Sequence, residues 1–158
     1  MKTIKGNKKA IEQLIKDYSK DMYRLIFLHT KYEEDSKTIL KDTIDFIEQN
    51  ISKLDKSEDI VLWIYKIIII NTNNFLESVG MVEDDKDIQK YCKNEKISLY
   101  NAIDLLDGKY KSVVILKYYF DLSYEQIGKT VDLNTDTVKI YIRQSLKKMK
   151  SSLGEVIV

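Results

Sequence analysis

From Lys8 to Lys31, apolar residues recur every three or four positions, through Ile11, Leu14, Ile15, Tyr18, Met22, Leu25 and Ile26. That period is the buried stripe of an amphipathic helix. A second stripe runs through Ile39, Leu40, Ile44, Ile47 and Ile51, and Asp35 or Ser36 is expected to cap its start. The opposite face is acidic and polar, with Asp42, Asp45, Glu48 and Gln49. After a polar break at Leu54 to Glu58, a third helix is expected from Asp59 to Ser78. Its four consecutive isoleucines make it apolar nearly all round, as the core helix of a bundle would be. The β-branched run alone would suit a strand, but its length and flanks favour a helix. Val79-Gly80-Met81 ends this first bundle.

Residues 81–95 are charged and weakly periodic, which suits a linker better than the alternative, a short solvated helix. Leu99, Ala102, Ile103, Leu105 and Leu106 then predict a helix closed by Asp107-Gly108. Tyr110 to Phe120 predicts another, with Val113, Val114, Leu116, Tyr118 and Phe120 largely buried. Ser123 to Lys150 reads as two helices joined by a tight turn. Ser123 and Gln126 have the spacing of a capping box, in which each side chain meets an orphan backbone N–H. Ile127 and Val131 form an apolar stripe, Gly128 is expected to let another helix approach, and Asp132 stands where a left-handed residue is wanted. Asn134 or Thr135 can cap the second helix.

At 100° per residue, Val138, Ile142, Ser145 and Met149 share one face of that last helix. Lys139, Arg143, Lys147 and Lys150 share another, and no acidic residue occurs between Val138 and Lys150. A short helix held by its partner, with a cationic face outward, suits the DNA major groove. The competing reading is an ordinary solvated basic face. The fold class expected is all-α: two small helical bundles, residues 1–80 and 96–158, joined by the linker 81–95, the second ending in a helix-turn-helix.

The absence of proline, with only five glycines, supports the helical reading. The net charge of +1 conceals an asymmetry: residues 1–80 are neutral, 81–95 carry −2 and 96–158 carry +3. So nearly neutral a chain would bind DNA weakly through counterion release alone, which points to action beside a larger partner. Cys92 is the single cysteine, excluding an internal disulfide and a cysteine-based zinc site. His29, the single histidine, is expected to be a half-buried helix residue. No signal peptide follows the basic N-terminus, and the apolar run Ile67 to Ile70 is too short to span a bilayer, so the protein is expected in the cytoplasm without membrane insertion. With no metal-ligand cluster, phosphate loop or nucleophile–histidine pair, neither an enzyme nor a cofactor is expected.

Residues Leu99 to Met149 resemble the DNA-binding fourth region of bacterial RNA polymerase sigma factors, most closely the extracytoplasmic-function (ECF) group of the sigma-seventy family. Leu122, Ser123, Tyr124, Glu125, Ile127, Thr137, Val138 and Lys139 carry the match. Asp107 stands where the family often has Pro, and Asp136 where it has Gly. The N-terminal half resembles the family's second region through Tyr23-Arg24, Asp35, Asp42-Thr43 and Trp63 to Ile67. There Lys41 replaces a usual Gln, Ile69 and Ile70 stand for Arg and Asn, and Glu77 for a base.

The resemblance implies a non-catalytic initiation factor whose partners are core RNA polymerase, double-stranded promoter DNA and, as is common in the family, an anti-sigma protein. Lys41, Asp42, Asp45, Phe46 and Gln49 would dock on the polymerase. Trp63, Tyr65, Lys66, Asn71, Asn73 and Asn74 would meet the minus-ten element. The two aromatic rings are candidates for stacking on unpaired bases, with core packing the competing role and the preferred one for Trp63. Thr135, Lys139, Ile140, Arg143 and Gln144 would read the minus-thirty-five element, and Lys147, Lys148 and Lys150 would hold phosphates. The alternative is a sigma-like regulatory or DNA-binding protein that has lost promoter melting.

Overall fold

Asn7 opens α1 (Lys8–Thr30) in the computed structural model, its side-chain oxygen accepting the Lys9 amide at 3.1 Å. The structure describes residues 7–80 and 102–157, with side chains to Ser152. The expected linker 81–95, Cys92 and the Leu99 turn of the expected helix therefore lie outside the described residues. The chain divides into two compact units, Met1–Phe75 and Leu76–Val158.

In the first unit, Lys31 turns left-handed (φ 61°) and its N–H closes α1 on the Phe27 carbonyl at 2.8 Å. α2 spans Glu33–Asn50, so it starts earlier than a cap at Asp35 or Ser36 would allow. Two effects explain this correction. Glu33, Glu34 and Asp35 place three carboxylates in the first turn, where the helix dipole favours them. Ser36 is buried and committed elsewhere, donating to the Tyr32 carbonyl at 2.6 Å and lying 2.7 Å from the Thr30 hydroxyl. After a 3-10 turn at Ile51–Lys53, Asp59 caps α3 (Ile60–Ser78) by accepting from the Val61 and Leu62 amides at 2.9 and 3.1 Å. Met22, Leu25 and Ile26 of α1, Ile39 and Ile47 of α2, and Ile64 and Ile68 of α3 are all buried. Gly80 (φ 70°) then follows, its N–H on the Glu77 carbonyl.

In the second unit a 3-10 turn, Ile103–Leu105, leads into α4 (Gly108–Tyr118), α5 (Tyr124–Val131) and α6 (Thr135–Ile157). Asp107-Gly108 thus opens a helix rather than closing one: Leu106 and Asp107 are extended, and the Asp107 carbonyl accepts the Lys111 N–H at 2.8 Å. α4 ends at Tyr118, short of Phe120, and the expected burial of these two rings is corrected: Tyr118, at the helix end, is 53% exposed and Phe120 only half-buried. Asp121 turns left-handed just beyond it (φ 52°), and the Leu122 N–H reaches back to the Leu116 carbonyl.

At eight residues α5 is too short to persist alone, so its order comes from its ends and its packing. The capping box is present as read: the Gln126 N–H meets the Ser123 hydroxyl at 3.1 Å, and the Ser123 N–H meets the Gln126 side chain at 2.9 Å. At the other end Asp132 is left-handed (φ 56°, ψ 46°), and the Asp132 and Leu133 N–H groups both point to the Gly128 carbonyl. What approaches Gly128 is this turn, not a helix backbone. A Cβ there would run into the Leu133 carbonyl oxygen, while the Val138 methyl beside it is at ordinary contact distance. Asn134, rather than Thr135, caps α6 by accepting the Thr137 N–H at 2.8 Å.

Gly128→Ala should therefore displace the Leu133 backbone and cost about 1–3 kcal/mol, the usual cost of overpacking. Urea unfolding followed by circular dichroism should show a lower midpoint with an unchanged slope.

Candidate nucleic-acid interface

α6 is seated by Val138, Ile142, Ser145 and Met149, all buried, so its opposite side must face solvent. Taking Val138 as zero, 100° per residue puts Thr135, Lys139, Arg143, Lys147, Lys150 and Ile140 within an arc from about 60° to 200°. All but the half-buried Thr135 are exposed. Ile140, 42% exposed, gives this face a methyl-bearing contact among its cations. Asp136 shares the arc in the first turn, where the helix terminus favours a carboxylate and where an acceptor can meet a cytosine amino group.

At 1.5 Å per residue, Thr135 to Arg143 spans about 12 Å, comparable with the width of the major groove. Lys147 and Lys150 lie roughly 18 and 22 Å along the helix from Thr135.

Gln144 and Lys148 are exposed but belong to a different flank, roughly 240–280° on the same scale. Gln144 accepts the Tyr110 hydroxyl of α4 at 3.1 Å, and the Tyr110 ring stacks on Tyr141 with centroids 4.4 Å apart. Lys148 lines a cavity of about 220 Å³ with Leu106, Asp107, Tyr110, Gln144 and Ser145. The structure thus does not bring these two residues to the face that holds Arg143. Their place is at the α4–α6 junction.

Two residues outside the expected set join the basic face. The Lys117 ammonium of α4 lies 4.7 Å from the centroid of Tyr124, the first residue of α5, and the Lys139 ammonium of α6 lies 5.7 Å from it. Three helices meet in this cluster, so no local spacing could reveal it.

In the first unit, Lys41, Asp42, Asp45, Phe46 and Gln49 are all exposed and fall on one side of α2. Phe46 is 40% exposed between carboxylates. On α3 the outward side comprises Trp63, Ile67, Ile70 and Asn74, with Lys66 and Asn73 on one flank. Ile70 is 44% exposed, whereas Ile69 is buried. Trp63 is half-buried, so part of its surface stays accessible. Tyr65 is corrected as a base-stacking candidate. It is 5% exposed, and a ring so enclosed presents no face to a base. Burial, with smaller contributions from Asp21 and Tyr18 and opposed by Arg24, pushes its hydroxyl up to about 12. Asn71 is half-buried and donates to the buried Thr43 hydroxyl at 3.2 Å, tying α3 to α2.

A capped helix-turn-helix with a cationic outward face defines a DNA-binding module, and the comparisons with known proteins agree with that class. Residues 96–149 match the family described as Sigma-70, region 4. The RNA polymerase sigma factor SigV of Bacillus subtilis (strain 168) is 29% identical over 97% of this chain and 96% of its own length. The ECF RNA polymerase sigma factor SigW of the same organism is 20% identical, over 96% and 93%. Among solved structures, CnrH in complex with the cytosolic domain of CnrY has a similar fold, with a TM-score of 0.75, 14% identity and coverage of 95% of this chain and 91% of that one. The sigma factor RpoE of Bartonella quintana, in complex with the anti-sigma factor NepR, gives 0.73, 12%, 92% and 98%. The resemblance read from the sequence holds: residues 96–149 match sigma-70 region 4, and the chain as a whole is similar to sigma factors of the ECF group. Among the described residues, no helix is long and apolar enough to cross a membrane.

The raised Tyr65 hydroxyl makes a prediction about stability. Below pH 10 the ring is neutral in both folded and unfolded chains, so its contribution is fully present. Between pH 10 and about 12 only the unfolded chain ionises there, and stability falls as pH rises. Denaturation midpoints at pH 8 and pH 11 should differ less for Tyr65→Phe than for the unsubstituted protein.

Proposed function

We propose that the protein is an RNA polymerase sigma factor of ECF type: it binds core polymerase and directs promoter-specific initiation, without catalytic chemistry of its own. One observation carries the reading. The outward face of α6, with Lys139, Arg143 and Lys147, is exposed on a helix-turn-helix that lies within the matched sigma-70 region 4.

In this reading α6 enters the major groove at the minus-thirty-five element. Thr135, Lys139, Ile140 and Arg143 address base edges, while Lys147 and Lys150 hold phosphates beyond them. The outward side of α3, with Trp63, Asn73 and Asn74 and with Lys66 beside them, meets the minus-ten element. Trp63 rather than Tyr65 supplies the ring for an unpaired base. The exposed side of α2, where Phe46 stands among Asp42, Asp45, Lys41 and Gln49, docks on core polymerase as an aromatic anchor with a polar rim. The sigma factors in the two similar solved structures are bound to CnrY and to the anti-sigma factor NepR. A partner of that kind, holding this chain inactive in the cytoplasm, belongs to the same reading. A DNA-binding relative that uses residues 123–150 alone would leave the likeness of the first unit to SigV without a purpose, and is not favoured.

Two substitutions test the assignment separately. With core polymerase present, Arg143→Ala should weaken promoter binding by about 1–3 kcal/mol and relax preference at one base position, measured against single-base promoter variants. Phe46→Asp should lower affinity for core polymerase about tenfold or more while leaving α6 intact, measured by titration of labelled protein.

A further inference from the structure

We infer that Lys117, Tyr124 and Lys139 form a phosphate clamp at the edge of the DNA-reading face, with Tyr124 as the positioning residue. The ligand is a backbone phosphate of the duplex that α6 engages, so the inference rests on the reading of α6 as a DNA-reading helix.

Both ammonium groups lie within 6 Å of one ring centroid, at 4.7 and 5.7 Å, inside the range where an aromatic face attracts a cation. Lys117 is held further by a hydrogen bond from its ammonium to the Leu122 carbonyl at 3.4 Å. Two lysines gathered on one tyrosine lie no more than about 10 Å apart, within a Debye length at 0.1 M salt, so screening attenuates their repulsion without abolishing it. Among the described residues neither is in an ion pair. The nearest acid in sequence to the ring, Glu125, is engaged by Lys129 at 2.9 Å, whose hydrogen bond holds its carboxyl below the usual range.

A bound anion would turn that repulsion into attraction, and the position favours one. Tyr124 is the first residue of α5, where unbonded N–H groups and the helix dipole favour negative charge. The capping box already uses the Ser123 and Gln126 N–H groups and leaves those of Tyr124 and Glu125 to an outside acceptor. Lys139 is shared with the reading face of α6, so a phosphate held here would fix the register at which Arg143 meets the bases. The tyrosine ring orders two long, flexible side chains in advance of binding, which lowers the entropy lost on contact.

The test uses the full chain bound to core polymerase on a promoter duplex recovered from its own transcripts, with affinity measured across a range of salt concentrations. Lys117→Gln should flatten the slope of log K against log salt by about 0.9, the signature of one lost phosphate contact, with the base preference unchanged. Tyr124→Leu should flatten it by at least as much, because it releases both lysines. Tyr124→Phe keeps the ring and should restore the unsubstituted slope. Arg143→Ala should instead change base preference. An unaltered slope in Lys117→Gln, or in a folded Tyr124→Leu, would overturn the clamp while leaving the sigma reading standing, provided Arg143→Ala still relaxes base preference. Failure of the unsubstituted complex to bind any promoter duplex would bring down both.

Discussion

The presentation of the DNA-reading face depends on a turn that only a residue without a side chain permits. The Leu133 carbonyl rests against the bare α-carbon of Gly128, and the Asp132 and Leu133 N–H groups converge on the Gly128 carbonyl. This closure stops α5 after eight residues and delivers Asn134 to the position from which it caps α6. Val138 is then carried against Gly128, and Ile142, Ser145 and Met149 follow it inward at helical spacing. Once that side is committed to the core, Lys139, Arg143, Lys147 and Lys150 have only solvent to face. The orientation of the cations is a consequence of the turn.

The charge of the chain fits the proposed action within an assembly. The whole chain carries +1, and its positive surplus is confined to the C-terminal residues. Counterion release scales with the number of phosphates neutralised, so a face of a few lysines and one arginine supplies modest affinity and leaves discrimination to base contacts. In the sigma reading proposed above, the remaining affinity comes from core polymerase. The first unit is built for the complementary task. Its exposed α2 side sets an aromatic ring among carboxylates, and the outward side of α3 is more apolar than cationic, with Trp63, Ile67 and Ile70 and a single lysine beside them.

Local rules wrote most of the fold in advance. The capping box at Ser123, the left-handed Asp132, the Asp59 start of α3 and the inward set on α6 follow from residue type and helical period, and the structure has each of them. The readings that changed turn on which of several possible partners or faces a side chain takes up. Ser36 was open to capping until Thr30 and Tyr32 claimed its hydroxyl. Gln144 follows Arg143 directly, so the helical period itself turns it to the other flank, where it accepts the Tyr110 hydroxyl. Tyr65 and Trp63, two positions apart on α3, differ by about 200° around the helix, and the bundle covers the side that Tyr65 faces. The Lys117–Tyr124–Lys139 cluster was invisible in the sequence because each member comes from a different helix.

The most direct test of the central claim is run-off transcription on genomic fragments, with purified core polymerase in the presence and absence of the full chain. The account predicts transcripts that depend on the protein and share sequence motifs upstream of their starts. Transcription unchanged by the protein, together with failure to bind core polymerase, would contradict the sigma reading and leave α6 as the helix of an unattached DNA-binding module.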